Sequence, residues 1–433
     1  MAMIKKKTNA GLFIALCTLV YFTSYITRKV YASTMIEIIR DLAFSNEDAG
    51  LVNTALFITY GAGQIISGVL GDHIAPHKLI FCGIVTSSVC NLLMPLCPSM
   101  PYGSAVAAMT VLWAINGFCQ ALFWPPLVRM MAEHLNGEDY SRACVTVSVG
   151  SSFATVCIYL TSSLFIALSG WQLNFYIAGA FGLVVAAVWI VLTARMEKSD
   201  RAARAEGPSG AENAPVDSEA KKIPFGRLVI LSGLIPICVC IVLQGMLRDG
   251  LDSWMPTLIA DTFDLSSALS TLSGVVMPLF AMLAFKLAEM LEQAVRHEMK
   301  TTALLFALAA VLASALYFLY DCNVILSVLL IASLTGCMHG INLILITWVP
   351  RYFARYGRIA TFSGILNAFT YIGSAIAMYG FGAISDKLSW QATIVSWLLI
   401  AGLGIVLALS TIRRWSAFVG KTAEREQGER DAS

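Results

Sequence analysis

The stretch RKVYASTMIEIIRD (28–41) is partly repeated 220 residues later as RDGLDSWMPTLIAD (248–261). The identities at this shift include Arg28 with Arg248, Ser33 with Ser253, Met35 with Met255, and Asp41 with Asp261. Similar shifts pair further positions along the chain: Asp72 with Glu289, Trp124 with Trp348, Pro126 with Pro350, and Trp171 with Trp390. A common offset over the whole length is typical of a duplicated protein, so the sequence predicts two parallel structural repeats.

The composition indicates that each repeat is built for a lipid bilayer. Hydrophobic residues make up 58 % of the 433 positions and charged residues only 13 %, and the mean hydropathy is +0.74. A spanning helix needs about 20 mainly apolar residues. Twelve such runs occur, near 9–36, 48–71, 78–98, 103–126, 143–168, 171–194, 226–250, 266–288, 301–320, 323–350, 360–384 and 388–412. The sequence therefore predicts an all-α, multi-pass membrane protein with six helices in each half.

Several classes of function are excluded by what the sequence lacks. A net charge of +2, with Lys and Arg in short runs between apolar stretches, does not suit nucleic-acid binding. The five histidines show neither metal-ligand nor catalytic-triad spacing, and the eleven cysteines are scattered through apolar segments. The chain also contains no GxxxxGK[ST] motif for ATP. We therefore expect no enzyme activity, no cofactor and no metal.

The polar segments between the apolar runs define domains and orientation. Residues 196–222 carry almost no large apolar side chain and predict a flexible cytoplasmic linker between bundles at 1–195 and 223–415, with a disordered tail at 416–433. Lys and Arg concentrate on one side of a twelve-pass path, which predicts that both termini are cytoplasmic.

Two cations, Arg28 and Lys29, interrupt the first apolar run. One interpretation ends the first helix at Thr27 and lets both side chains reach the outer surface. The other continues the helix, because apolar sequence follows for ten residues and cations outside would contradict the pattern elsewhere. Arg28 would then lie inside the membrane, at a cost of about 2.5–3.5 kcal/mol that is usually tolerated for a function. With Arg248 at the matching position of the second repeat, two guanidinium groups facing a central cavity could bind one anion.

The segment GVLGDHIAPHK (68–78) resembles the signature of the major facilitator superfamily at the end of the second helix. The resemblance implies that Gly68 allows close helix approach and that Asp72 pairs across a cytoplasmic gate. Lys286 and Glu289, three residues apart in the eighth run, are interpreted as a further ion pair of that gate.

Within this superfamily the chain resembles the organophosphate:phosphate antiporters. The resemblance lies in three stretches: NGFCQALFWPPLVRMM (116–131), the spacing of Tyr21, Tyr25, Arg28 and Lys29, and RDGLDSWMPTLI (248–259). It implies that Arg28 and Arg248 bind the phosphoryl group. It also implies a site shaped by further residues: Lys29, Tyr25, Tyr60, Gln120, Trp124, His339 and Tyr371.

The chain departs from the family pattern at a few positions. Ala121 replaces a glycine after Gln120, Gln64 stands where the glycerol-phosphate carriers have a lysine, and Phe153 aligns with their helix-five histidine. These departures leave the transported molecule open.

We therefore predict a secondary transporter that moves an organic phosphate in exchange for inorganic phosphate, as a monomer surrounded by lipid. The two halves would rock around the anion site. A proton-coupled carrier of organic carboxylates is a second hypothesis, although no acid lies clearly inside a predicted span and Asp252 comes nearest. A membrane sensor of sugar phosphates is a third.

Overall fold

The computed structural model describes residues 7–135, 137–204, 225–356 and 359–431, with side-chain surroundings left out at a few further positions. Every regular element in these ranges is helical. The first seven α-helices are α1 Lys7–Leu42, α2 Asn46–His73, α3 Pro76–Leu93, α4 Tyr102–Gln120, α5 Trp124–His134, α6 Gly137–Ser169 and α7 Gln172–Arg204. The other eight are α8 Phe225–Ser232, α9 Leu234–Phe263, α10 Ser267–Ser273, α11 Val276–Val295, α12 Glu298–Leu319, α13 Val324–Asn342, α14 Ile359–Lys387 and α15 Trp390–Asp431.

Twelve helical stretches in the described ranges are long and apolar enough to cross a membrane. They cover 10–42, 46–67, 76–99, 102–134, 142–169, 172–194, 234–263, 267–295, 298–319, 324–353, 362–387 and 390–420. Some contain short non-α turns, such as the 3-10 turn Met94–Ser99 and the π-helical turn Leu343–Trp348. The predicted all-α fold with twelve transmembrane helices is confirmed.

The seventh span differs from the prediction of 226–250. The run is interrupted at Gly233, whose positive φ of 67° ends α8, and α9 then continues for thirteen residues beyond Gly250 to Phe263. Polar residues in 248–253 made this stretch look like a helix end, but they lie in the middle of α9. The first helix likewise runs through Arg28 and Lys29 to Leu42, so the interpretation that ended it at Thr27 is wrong.

Two segments predicted to lack structure are partly helical. Helix α7 continues to Arg204, into the predicted linker, and α15 runs to Asp431 through the predicted tail. Both extensions are rich in Ala, Glu, Arg and Lys, which have high helix propensity. The remaining linker residues, 205–222, and the last two residues lie outside the described residues.

The chain divides into two compact units whose boundaries cross α9 and α11. Unit 1 comprises Met1–Asn213 and Pro256–Pro278, and unit 2 comprises Ala214–Met255 and Leu279–Ser433.

Unit 1 has an apolar core that α1, α3, α5, α6 and α7 share, with Trp189 and Phe123 among its fully buried side chains. The segment Pro256–Pro278 is fixed to this unit by hydrogen bonds to α1 and α6. Thr271 donates to the Ser33 carbonyl at 3.1 Å, and Ser163 donates to the Ala268 carbonyl at 2.7 Å.

Unit 2 is organised around the close approach of α9 and α14. A Cβ atom added to Gly245 would lie 2.2 Å from the Thr370 carbonyl oxygen, and one added to Gly373 would lie 2.0 Å from the Val242 carbonyl oxygen. Only glycine lets the two backbones come this near. Trp254 reinforces the contact by donating to the Met378 carbonyl at 3.2 Å.

Candidate anion-binding site

Arg28 lies near the middle of the first membrane-spanning helix. It stands fourteen residues before the end of α1 at Leu42, which corresponds to about 21 Å along the axis. The side chain is half-buried. A guanidinium at this depth is costly unless protein groups or a bound anion compensate its charge.

Two tyrosine rings hold the Arg28 guanidinium. Its Cζ atom lies 4.4 Å from the centroid of the Tyr25 ring and 5.2 Å from that of Tyr60. Tyr25 is one turn before Arg28 on α1, and Tyr60 is a buried residue of α2. Aromatic faces attract a cation electrostatically, so these two contacts fix the position of the guanidinium.

A row of aromatic side chains extends from this pair to α5. The Tyr21 ring packs on Tyr25 at 5.3 Å and on Trp124 at 4.9 Å between centroids. Trp124 begins α5, where the helix restarts after the turn at 121–123. The structure therefore brings together the predicted residues Tyr25, Arg28, Tyr60 and Trp124 within unit 1.

The side chain of Gln120, one of the predicted site residues, is buried in a hydrogen-bond network. It is 2 % exposed, and its side-chain amide donates to Thr27 Oγ1 and to Ser87 Oγ, both at 3.0 Å. Asn91 and Asn116 donate to the Thr27 carbonyl at 3.0 and 3.2 Å. This buried network fixes the turn of α1 that carries Arg28, and its members Ser87, Asn91 and Asn116 were not identified from the sequence.

Arg248 lies at the midpoint of α9, between Leu234 and Phe263, and it is paired with its neighbour. Arg248 Nε donates to Asp249 Oδ1 at 3.0 Å and Nη2 donates to Oδ2 at 2.8 Å. Ser374 of α14 donates to the same Oδ2 at 2.5 Å. The side chains of Arg248 and Asp249 are 13 % and 12 % exposed.

This pair corrects one expectation about acids in the membrane. The predicted end of the seventh span at 250 placed Asp249 and Asp252 near a helix end, whereas both are buried residues in the middle of α9. The sequence contained a signal for this pair, because Arg248 and Asp249 are adjacent inside an otherwise apolar run.

The other two predicted binding residues of unit 2, His339 and Tyr371, lie on α13 and α14, which both contact α9. Gln244, one turn before Arg248, donates to the Met338 carbonyl of α13 at 3.1 Å. The next residue, His339, is half-buried, and its ring packs edge-on against Phe285 at 5.7 Å. Tyr371 is a half-buried residue of α14, one turn before Ser374.

Three further predictions concern Lys29 and the gate. Lys29 is half-buried and, as the residue after Arg28, points about 100° around α1 from it. Lys286 and Glu289 form an ion pair at 2.9 Å on α11, with side chains 67 % and 43 % exposed. Gly68 and Asp72 are at the end of α2, and their side-chain surroundings lie outside the described residues.

The described residues contain no cluster of three His, Cys, Asp or Glu side chains that could hold a metal ion. Both units instead place one arginine at mid-membrane depth with groups that orient it. Each guanidinium has the geometry to bind an anion bidentately.

Comparison with known proteins identifies the family. The family model described as Major Facilitator Superfamily matches residues 17–362. A probable hexose phosphate transport protein of Chlamydia trachomatis is 23 % identical over 419 residues, which cover 92 % of this chain and 89 % of that protein. The glycerol-3-phosphate transporter of Bacillus subtilis is 24 % identical over 432 residues, 96 % of this chain and 92 % of that protein.

A shorter similarity and a solved structure complete the comparison. The membrane sensor protein UhpC of Escherichia coli is 24 % identical over 165 residues, 38 % of this chain and 36 % of that protein. A crystal structure of a bacterial homologue of the human lysosomal transporter Spinster shares the fold, with a TM-score of 0.73 and 14 % identity over 95 % of this chain and 99 % of that one.

The twelve spans and these relatives make the chain a multi-pass integral protein of the inner membrane. The predicted resemblance is confirmed: the chain belongs to the Major Facilitator Superfamily, and its relatives are members of the organophosphate:phosphate antiporter family.

Proposed function

We propose that the protein is a secondary transporter that carries an organic phosphate across the membrane in exchange for inorganic phosphate. The observation that supports this most directly is the position of Arg28, which lies at mid-membrane depth with its guanidinium fixed by the Tyr25 and Tyr60 rings. The names of the relatives, which include hexose phosphate and glycerol-3-phosphate transporters, point to the same substrate class.

In this proposal Arg28 and Arg248 bind the phosphoryl group, one from each repeat. The support for their joint role is the sequence repeat that aligns them. Each planar guanidinium can hold two phosphate oxygens with parallel hydrogen bonds. Further residues would shape the site around the rest of the substrate: Lys29, Tyr25, Tyr60, Gln120, Trp124, His339 and Tyr371.

Exchange follows from the charge of the site. Asp249 compensates Arg248, but Arg28 and Lys29 add further positive charge to the proposed site. This charge is expensive inside the membrane when no anion compensates it, so a rocker-switch transition is favoured with substrate bound. The carrier then returns with inorganic phosphate or with another substrate molecule.

The test uses the full chain in proteoliposomes loaded with labelled inorganic phosphate. External glycerol phosphate or hexose phosphate should drive phosphate efflux, and Arg28→Lys or Arg248→Lys should abolish it because an ammonium cannot bind bidentately. Arg129→Lys is a matched control, since Arg129 is an exposed residue of α5 paired with Glu133 at 2.7 Å. Normal exchange by either mid-membrane variant would contradict the assignment.

Proton-coupled uptake of an organic anion is a second candidate, which the two buried carboxylates of α9, Asp249 and Asp252, favour. It predicts that an inward proton gradient drives uptake into liposomes that contain no phosphate. Uptake that needs internal phosphate and ignores the gradient would exclude this mode. Substrate binding without flux in either assay would instead favour a sensor, as the similarity to UhpC suggests.

A further inference from the structure

Asp249 occupies the part of Arg248 that a phosphate would need. Its two oxygens accept from Nε and Nη2 of the guanidinium at 3.0 and 2.8 Å, which is the parallel bidentate geometry used for carboxylates and phosphates alike. An anion that approaches Arg248 along this edge therefore meets a carboxylate already in place.

Arg248 and Asp249 are consecutive residues, which is an unusual spacing for an ion pair within a helix. Consecutive residues point about 100° apart, so adjacent charged side chains do not normally face each other. Here Arg248 and Asp249 are brought together at the α9–α14 contact, where Ser374 donates to Asp249 Oδ2 at 2.5 Å. The hydroxyl fixes the carboxylate from the side of α14.

We propose that Asp249 is an internal counter-ion of Arg248, which the phosphate group of the substrate displaces when it binds. This inference rests on the proposed function. It makes Asp249 a residue that determines affinity: the guanidinium is never left uncompensated, and each anion must compete with the carboxylate for it. Phosphate binding is weakened by this competition, and release is assisted by it.

Ser374 makes the displacement possible without stranding a buried charge. When Asp249 leaves the guanidinium, its Oδ2 keeps the hydrogen bond from the Ser374 hydroxyl. A buried carboxylate that retained no donor would carry a large desolvation penalty. In the empty site Asp249 therefore accepts from both Arg248 and Ser374, and in the occupied site it accepts from Ser374 while Arg248 binds the phosphate.

The experiment measures binding of inorganic phosphate to the purified full chain by titration calorimetry. Asp249→Asn should bind phosphate about tenfold more tightly than the wild type, because the competing charge is gone. Asp261→Asn is the control: it removes the same charge from an exposed position twelve residues further along α9 and should not tighten binding. Asp249→Glu should keep the weaker binding of the wild type.

A merely structural role for Asp249 predicts the opposite sign, since loss of a supporting group weakens binding or leaves it unchanged. Equal or weaker binding by a folded Asp249→Asn variant would overturn the inference. Asp249→Ser, also neutral, is measured alongside, and thermal unfolding shows which variants are folded. Failure of the wild type to bind or exchange phosphate would refute the proposed function, whereas normal wild-type binding with no gain in either neutral variant refutes this inference alone.

Discussion

The side-chain amide of Gln120 donates a 3.0 Å hydrogen bond to Oγ1 of Thr27, the residue immediately before Arg28. A second bond from the same amide reaches Ser87, so a single residue of α4 links α1 and α3 at the depth of the candidate site. Because a buried network of this kind has few alternative arrangements, it fixes the rotation of α1 about its axis. The direction of the Arg28 side chain depends on it.

Gln120→Leu, which keeps the volume and removes the donors, should destabilise the protein by about 1–3 kcal/mol and weaken phosphate binding. The loss follows because Thr27 Oγ1 and Ser87 Oγ each lose a donor in a buried site. Thermal unfolding and calorimetric titration of the variant measure the two effects. Gln64→Leu is the control: the Gln64 side-chain nitrogen is buried without a hydrogen-bond partner among the described residues, so this change should cost less. An equal cost for both variants would contradict the role of the network.

Tyr25→Leu and Tyr60→Leu should each weaken phosphate binding several-fold, since an aromatic face on a guanidinium contributes about 0.5–2 kcal/mol to holding it. The corresponding phenylalanine variants keep the ring and should retain most of the affinity. Calorimetric titration with inorganic phosphate compares the affinity of the leucine variant with that of the phenylalanine variant at each position. Phenylalanine variants as weak as the leucine variants would show that the hydroxyl groups, and not the rings, matter.

Gly373→Ala should destabilise unit 2 by about 1–3 kcal/mol or more, because the new methyl group would overlap the Val242 carbonyl oxygen at 2.0 Å. Gly380 lies on the same helix, and a Cβ added there meets no atom within 4 Å. Gly380→Ala should therefore be neutral or stabilising by about 0.5–1 kcal/mol, through the higher helix propensity of alanine. The melting temperatures of the two variants give the comparison, and a harmless Gly373→Ala would contradict the close approach of α9 and α14.

His297 should make stability depend on pH below about 6.5. It precedes α12, where its Nδ1 accepts from the Lys300 amide at 3.4 Å and its Nε2 lies 2.8 Å from Ser416 Oγ, which describes a neutral ring that donates to Ser416. Burial, helped by the nearby Lys300 charge and opposed by Glu298, lowers the pKa of His297 below its usual 6.5.

Since the folded-state pKa of His297 is the lower one, the unfolded chain takes up the proton first as the pH falls. The contribution of His297 to the free energy of unfolding is therefore fully present above pH 6.5. It decreases as the pH falls from that value to the lowered pKa. His297→Asn keeps a good helix cap and cannot be protonated. Its melting temperature should fall less than that of the wild type between pH 7.5 and 5.5, and parallel curves would exclude a role for this ring.

Much of the fold could be predicted because bilayer-spanning helices leave a strong signal in the sequence. Each of the twelve apolar runs became a span, and the offset that aligns Arg28 with Arg248 identified the two charged positions at mid-membrane depth. The aromatic residues around Arg28 followed from their spacing on one helix and from the family resemblance.

The rest depends on contacts between residues that are distant in the chain. The pairing of Asp249 with Arg248 was missed because neighbours on a helix normally diverge, and because Ser374, which fixes the carboxylate, is 125 residues away. Gln120 was assigned to the site, but its hydrogen bonds to Thr27 and Ser87 depend on how three helices meet. The extension of α9 was missed because its polar middle resembles a helix end.

The glycine contact between α9 and α14 also indicates which positions can be substituted to alter substrate selectivity. Gly245 and Gly373 leave no room for a side chain, and Asp249 and Ser374 depend on the same seam, so variation there would damage the protein before it altered selectivity. Lys29 and His339 are half-buried residues of other helices, α1 and α13, whereas Tyr371 follows Thr370, whose carbonyl oxygen faces Gly245. A mutagenesis library for new substrates would therefore randomise Lys29 and His339 and leave the seam intact.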